Sequence, residues 1–309
     1  MNLFKKNETI LQNISFMSIM AGINALFALL MFYLSIVSFV LIFILPLTSV
    51  LVTIYCKKRY YVIYLFTTIA LCLLMTWGNF IDLFFYIIPS LVAGFFFALL
   101  VIKKMPSIFI ILSTSIIEVS FTYLAIPLIN LIYQMNMIEQ FLSMFGLLNN
   151  ETATLLVPTF ILILSLIQST ISYMVINDEL PKFKIVLLEN KNSQIFILVA
   201  LIISSVTSII LSFLTASWSI FFLMISLYFG IYLSIDLLDY KKIWIYVSEG
   251  ISLLITFFVF SSLYSFIKFP NGFISIITFP ILVGLISFIN IYLSKYSKKD
   301  TINKGSNNG

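Results

Sequence analysis

The sequence contains no histidine, and only 9% of its 309 residues are charged. Without histidine the chain can form neither Ser-His or Cys-His catalytic pairs nor histidine metal sites. The only arginine is Arg59, and the two cysteines, Cys56 and Cys72, lie in or beside apolar stretches, which argues against an arginine voltage sensor and a disulfide framework. Phosphate-binding and nucleophile-elbow motifs are also missing. We therefore expect no enzyme, no catalytic residues, no cofactor and no metal centre.

Apolar residues dominate what remains, at 61% of the chain. An ordinary soluble domain has roughly 25% charged residues, far more than this chain could use to cover its surface in water. Several stretches run for about 20 residues without a charge, which is long enough for a helix to cross a hydrocarbon core of ~30 Å. The sequence predicts an all-α, polytopic transmembrane helical bundle in contact with the lipid bilayer.

Basic residues are concentrated in short clusters that separate the apolar blocks, with Lys268 the one exception. Each block suits a hairpin of two helices, so the clusters all fall on one side, which the positive-inside bias makes cytoplasmic. This places the lysines in loops and not on a nucleic-acid surface. We expect about ten spans (eight to ten), both termini inside and a bacterial plasma membrane location. The ten predicted spans are 14–34, 36–56, 60–79, 83–102, 107–133, 152–177, 195–214, 218–236, 243–265 and 274–294.

The charge pattern also predicts the domain organisation. A cytoplasmic N-terminus (1–13) precedes a six-span bundle (14–177), and a cytoplasmic linker (178–194) leads to a four-span region (195–294). A polar tail (295–309) is predicted to be disordered. The longest outer loop, 134–151, is amphipathic, so it is either a connector or a surface helix that acts as a lid.

Glu118 is the candidate functional residue, because it lies about halfway along the fifth predicted span. Helical spacing places Ser115 and Thr122 on its face, and Asn130 lies near the outer end of the same helix. A charged carboxylate in lipid costs several kcal/mol, so the side chain must face a partner or be protonated. These four residues are candidate contacts for a ligand, cation or proton. The alternative is a hydrogen-bonded acid that fixes helix packing.

Other polar and small residues suggest packing roles. Glu249 lies about two turns inside the ninth span and is expected to extend toward the interface. Ala21 and Ala25 form a small-xxx-small face that is a candidate site for docking another helix. Prolines inside five spans predict kinks, which are frequent beside transporter sites.

Several segments resemble the YybS-like family of Firmicutes membrane proteins, whose function is unknown. The resemblance rests on "FMSIMAGINALFALL", "FILPLTSVLV", "IIPSLVAGFFFALLVIKK" and "LYFGIYLSIDLLDYKK" and covers most of the chain. The first six spans are also similar to the substrate-binding S component of energy-coupling-factor transporters. In that family an A-x-x-x-A face, matched here by Ala21 and Ala25, docks the transmembrane coupling subunit, and the solute binds beneath outer loops.

Two functional hypotheses follow. The first is a solute-uptake subunit without its own ATPase, in which Glu118, Thr122 and Asn130 contact a small solute or cation. The second is a membrane scaffold that docks other membrane proteins through its small-residue faces.

Overall fold

A computed structural model describes residues 9–144, 156–183, 193–213, 216–238, 243–264 and 276–306. Throughout these ranges the regular structure is helical and no strand occurs, so the all-α prediction is confirmed. Residues 1–8, the second part of the outer loop, the middle of the linker 178–194 and the last three residues lie outside the described ranges. The clusters Lys5–Lys6 and Lys241–Lys242 also lie outside them.

The chain divides into two compact units. Unit 1 comprises Met1–Ala153 and Phe160–Asn190, and unit 2 comprises Thr154–Thr159 and Lys191–Gly309. The main division, after Asn190, falls within the linker 178–194.

Eight helices belong wholly or mainly to unit 1: α1 (Ile10–Tyr33), α2 (Ser35–Tyr55), α3 (Tyr61–Met75), α4 (Phe80–Asp82), α5 (Ile88–Ile102), α6 (Ser107–Tyr133), α7 (Met137–Met144) and α8 (Leu156–Glu179). Unit 2 contains α9 (Ser193–Ser212), α10 (Ala216–Leu238), α11 (Ile243–Tyr264) and α12 (Thr278–Ser306).

Seven helical segments of the described chain are long and apolar enough to cross a membrane: Ile10–Tyr33, Lys58–Met75, Phe80–Ile102, Ser107–Tyr133, Val157–Lys182, Gln194–Phe213 and Trp218–Leu237. Three further apolar stretches, Val40–Tyr55, Ile243–Val259 and Thr278–Tyr292, lie within α2, α11 and α12 and overlap the three remaining predicted spans. The chain is therefore a multi-pass membrane protein.

Helix α9 shows that lipid is the solvent of this fold. Its outward side chains are apolar and include Ile195, Val199 and Ile203, whereas its buried side includes the hydroxyls of Ser205 and Ser208. A helix on the surface of a water-soluble protein has the opposite arrangement. Serine inside and isoleucine outside is stable only where the surroundings are as apolar as the side chains that meet them.

Helices α1 and α2 form a tight hairpin. Thr9 and Gln12 form a reciprocal capping box at the start of α1, with both hydrogen bonds at 3.2 Å. The two helices are separated by Leu34 alone, which leaves helical geometry with φ −126° and ψ 80°. The break between the predicted spans 14–34 and 36–56 is therefore one residue earlier than expected, at Leu34 and not at residue 35.

A π-helical turn, Leu83–Ile87, connects α4 to α5. Asn79 begins this segment, because its side-chain oxygen accepts hydrogen bonds from the N–H groups of Ile81 and Asp82 at 3.1 and 3.4 Å. Pro89 follows the π turn and has no N–H to donate to the preceding turn. The π turn is therefore located where Pro89 already interrupts the α-helical hydrogen-bond ladder.

Helices α2 and α5 pack closely because Gly94 has no side chain. A Cβ atom at this position would lie 2.5 Å from the carbonyl oxygen of Pro46 and 2.7 Å from the Cβ of Ser49. In unit 2, Gly230 likewise allows α10 and α12 to pack closely, since a Cβ atom at this position would lie 3.0 Å from the Cβ of Pro280. Both contacts are backbone approaches of the small-residue type.

The structure changes the interpretation of the Ala21 and Ala25 face. These side chains are 1% and 4% exposed, and Ala21 belongs to the apolar core of unit 1, where α1 packs on α2 and α3. The small residues therefore allow close packing within the chain.

The C-terminal tail also differs from its prediction, because α12 continues as a helix through Lys295 to Ser306. Extending an existing helix adds a hydrogen bond for each residue ordered, whereas starting one is unfavourable. A polar sequence that would be disordered alone can therefore remain helical at the end of an apolar span.

Candidate functional site

Glu118 lies in the interior of unit 1, where side chains of α2, α5, α6 and α8 meet. It is 3% exposed, as the inward orientation predicted from its helix face requires. One carboxylate oxygen, Oε2, accepts a hydrogen bond from the Ser169 hydroxyl at 3.1 Å. Ser169 comes from α8, so this bond connects two helices that are 51 residues apart in sequence.

A small cavity of about 10 Å³ lies beside the carboxylate. Four of its lining residues carry side-chain oxygens and four are apolar: Thr114, Glu118, Ser169, Ser172, Pro46, Ala93, Phe97 and Ile176. This volume is about that needed for one water-sized occupant. It is far below the roughly 300–1,000 Å³ of pockets that hold drug-sized molecules.

The hydroxyl groups around the cavity differ in how they are satisfied. The Thr114 hydroxyl donates to the carbonyl oxygens of Ile110 and Ile111, both at 2.9 Å, so its proton points to its own helix. Its oxygen can still accept a hydrogen bond or contact a cation. Ser172 is 4% exposed and its hydroxyl has no hydrogen-bond partner in the described chain. A buried polar group in this state calls for an explanation.

No basic side chain compensates the Glu118 carboxylate. The residues that line the cavity include no lysine or arginine, and Glu118 forms no ion pair among the described residues. An isolated charge in a medium of low dielectric constant is unfavourable by several kcal/mol. The carboxylate must therefore be neutralised by a bound proton or cation.

The other predicted ligand residues do not line this cavity. The hydroxyls of Ser115 and Thr122 donate to backbone carbonyls of their own helix, those of Leu112 and Glu118, at 3.0 and 2.9 Å. The Asn130 side-chain oxygen accepts from the N–H of Met137 at 3.0 Å and so helps to begin α7. A ligand role for these three residues stays a prediction.

Sequence reasoning missed Ser169 and Ser172. A signal was present in "SLIQSTIS", because Ser165, Ser169 and Ser172 follow the 4-and-3 spacing of one helix face. Serines are common in membrane helices, and only the packing of α8 against α6 identifies which of them meet Glu118.

Unit 2 has its own buried carboxylate. Glu249 is buried, and its Oε2 accepts from the Ser234 hydroxyl at 2.6 Å, whereas Oε1 has no hydrogen-bond partner among the described residues. Glu249 packs inside its unit, so it does not extend to the interface as expected. Neither acid belongs to a group of three or more Cys, Asp or Glu side chains suited to a metal ion within the described ranges.

A separate hydroxyl network joins α1, α2 and α3. Asn24 donates to the Tyr64 hydroxyl at 2.9 Å and accepts from Thr48 at 2.9 Å, and the Tyr64 hydroxyl donates to Thr48 at 3.2 Å. Each member therefore contacts the other two. The network satisfies three buried polar groups and fixes the relative register of the helices, which is a structural role.

A larger groove of about 250 Å³ runs between α1 and α3 and is mainly apolar. Ile14 and Ile63 are more than half exposed along it, and Ala21 forms part of its floor. Ala25 does not line the groove. Any docking function of Ala21 would therefore operate through this groove.

Comparison with protein-family models, curated proteins and solved structures finds no match to this chain. The resemblances to the YybS-like family and to transporter S components therefore stay predictions.

Proposed function

We propose that this chain is a solute-uptake subunit of the bacterial plasma membrane, similar to an S component and without its own ATPase. The observation that supports the proposal is the buried Glu118, which has a serine donor, a second serine without a partner and a small cavity beside it. Intramembrane acids of this kind mark ion and substrate pathways, because their desolvation is costly in a purely structural role.

The helices around Glu118 support the same function. Three of them contain a proline that interrupts a continuous helical segment: Pro46 in α2, Pro127 in α6 and Pro89 just after the π turn that precedes α5. Pro158 lies in the first turn of α8. Proline interrupts the backbone hydrogen bonds of a helix and provides a place where it can bend. Transporters commonly form their sites between such interrupted helices. We infer that α2, α5 and α6 bend at these three prolines during uptake.

The topology that fits this function has ten spans with both termini in the cytoplasm. The turn that contains Lys103 and Lys104 then lies inside the cell, and the short helix α7 lies outside. Under this arrangement a solute approaches α6 from the side where Asn130 and α7 are found. Asn130 and Thr122 would line its route to Glu118.

The uptake function can be tested without knowing the solute. Cells that produce the chain and cells that lack it are grown in the same medium, and the medium is analysed by untargeted mass spectrometry. We expect at least one small solute to be depleted faster by the producing cells. Glu118→Gln should remove this difference, because it keeps the shape of the side chain and deletes its charge. Glu139→Gln, on the exposed surface of α7, is the matched control and should preserve depletion.

Equal depletion of every solute by both cell types would contradict the uptake function. If wild type and Glu118→Gln deplete the solute equally, at equal protein levels, uptake does not use the Glu118 site.

The groove between α1 and α3 favours a second candidate function, a membrane scaffold. A photo-crosslinking amino acid at Ile63, inside the groove, should then capture a discrete membrane-protein partner in cells. The same probe at Phe66, which is exposed but outside the groove, should not. A scaffold would also retain its partner in the Glu118→Gln variant.

A further inference from the structure

The cavity beside Glu118 limits what can occupy it. Its volume of about 10 Å³ admits one body of the size of a water molecule, so an organic solute cannot bind there in this conformation. The occupant must also be compatible with the single carboxylate that lines the cavity and with the absence of basic residues from that lining.

Charge balance favours a single positive charge, a proton or a monovalent cation, over a divalent ion. One carboxylate and one monovalent cation form a neutral pair, which keeps the cost of burial low. A divalent ion would leave an excess positive charge in the bundle. Calcium also takes six to eight oxygen ligands, and magnesium keeps several waters for which this cavity has no room.

The donor atoms favour a hard cation. Every polar side chain at the cavity offers oxygen: the Glu118 carboxylate and the hydroxyls of Thr114, Ser169 and Ser172. Oxygen ligands suit hard cations and offer nothing to soft transition metals. Sodium is smaller than a water molecule, whereas potassium is as large and takes more ligands, so sodium fits the volume better.

Ser172 provides the second, independent indication of a ligand. Its hydroxyl is buried at the cavity and has no hydrogen-bond partner in the described chain, although Ser169, three residues earlier on α8, donates to Glu118. The Thr114 hydroxyl has already directed its proton to its own helix, so its oxygen is available for a cation. The side chains of Thr114, Ser172 and Glu118 thus line the same small volume.

We propose that Glu118, together with Thr114, Ser169 and Ser172, binds one dehydrated sodium ion inside unit 1. A role for this sodium ion in coupling solute uptake rests on the proposed function. The binding itself needs no transport and can be measured on the purified protein.

The direct test is equilibrium binding of radioactive ²²Na⁺ to the purified full chain in detergent. We expect saturable binding of one ion per chain, competed by unlabelled sodium and at least tenfold less well by potassium. Glu118→Gln should abolish binding, and Ser172→Ala should weaken it at least tenfold. Ser165→Ala is the matched control, because Ser165 is equally buried on α8 but does not line the cavity. It should bind like the wild type.

A second readout guards against variants that merely fold poorly. Sodium chloride should raise the thermal unfolding temperature of the wild type above that in choline chloride of equal ionic strength, because a ligand that binds only the native state stabilises it. Glu118→Gln should lose this sodium-specific rise while remaining monodisperse. Ser165→Ala should keep it.

Absence of saturable ²²Na⁺ binding would overturn the proposal, as would equal binding by Glu118→Gln. If the unfolding temperature depends on pH in the same way in sodium chloride and in choline chloride, the sodium proposal is also overturned. Glu118 would then be neutralised by a proton. If sodium binds as expected but no solute is depleted by cells, the ion site stands and the uptake function fails. If solute depletion depends on Glu118 but sodium does not bind, only the ion site fails.

Discussion

A glutamate in a membrane bundle is tolerable only when its surroundings supply what water would have supplied. The Glu118 carboxylate accepts a hydrogen bond from Ser169 and lies beside a small cavity that Ser172 also lines. The inward orientation of Glu118 could be predicted, because a helix face follows from residue spacing. Its partners could not, because they lie on α8 and depend on how two distant helices pack.

At the residue scale, we predict that Gly94→Ala destabilises the protein by about 1–3 kcal/mol, the usual cost of overpacking. The added Cβ would collide with the backbone carbonyl of Pro46, which cannot move without shifting α2. Gly22→Ala is the control, since its Cβ would meet nothing within 4 Å. It should be neutral or stabilising by up to about 1 kcal/mol, because alanine favours a helix over glycine. Unfolding in mixed detergent measures both, and equal stability of the two variants would contradict the α2–α5 contact.

The hydroxyl network gives a second residue-scale prediction. Tyr64→Phe removes the acceptor for the Asn24 amide and leaves a buried donor without a partner, so it should cost about 1 kcal/mol. Tyr123→Phe deletes the same atom from a residue that is 44% exposed, and it should change stability little. The same unfolding assay applies. A loss in Tyr123→Phe as large as that in Tyr64→Phe would show that the network contributes nothing specific.

At the scale of elements, the apolar runs predicted the helices well. The predicted span 107–133 coincides with α6, and the whole of α11 (Ile243–Tyr264) lies within the predicted span 243–265. These limits were predictable because prolines, charges and chain turns interrupt the apolar pattern. The helical tail after residue 294 was not predictable, since its polar composition contains no apolar periodicity.

Helices α9 and α10 pair through small hydroxyl residues. The hydroxyl oxygens of Ser205 and Ser226 lie 2.6 Å apart, and Ser208 and Ser219 exchange hydrogen bonds between hydroxyls and backbone carbonyls at 2.9 and 3.0 Å. We predict that the double variant Ser205→Cys with Ser226→Cys forms a disulfide under mild oxidation, because the two side chains already face each other closely. Peptide mapping without reductant detects the bond.

The control for this pair shifts one cysteine by one position. Val206 is exposed and points away from the buried face of α9, so Val206→Cys with Ser226→Cys should remain reduced. Efficient bonding in the control and none in the first pair would show that α9 is rotated from the orientation described.

At the scale of the whole molecule, the chain is arranged for an apolar solvent. Large apolar side chains are exposed along its long helices, and many hydroxyl and amide side chains are buried. The low charge content predicted this arrangement, since so few charged residues cannot cover a protein in water. The number of spans was harder to predict, because a hairpin as tight as α1–α2, joined by Leu34 alone, leaves no polar segment to mark the turn.

The access route to Glu118 depends on which side of the membrane each loop occupies. Cysteine accessibility in intact cells measures this orientation most directly. Single cysteines at Lys103, Lys241 and Gln140 are treated with a thiol reagent that cannot cross membranes, and the native Cys56 and Cys72 stay unreactive because they are buried. We predict labelling at Gln140→Cys in intact cells, and labelling at Lys103→Cys and Lys241→Cys only after permeabilisation. Labelling of Lys103→Cys and Lys241→Cys on opposite sides of the membrane would contradict the account.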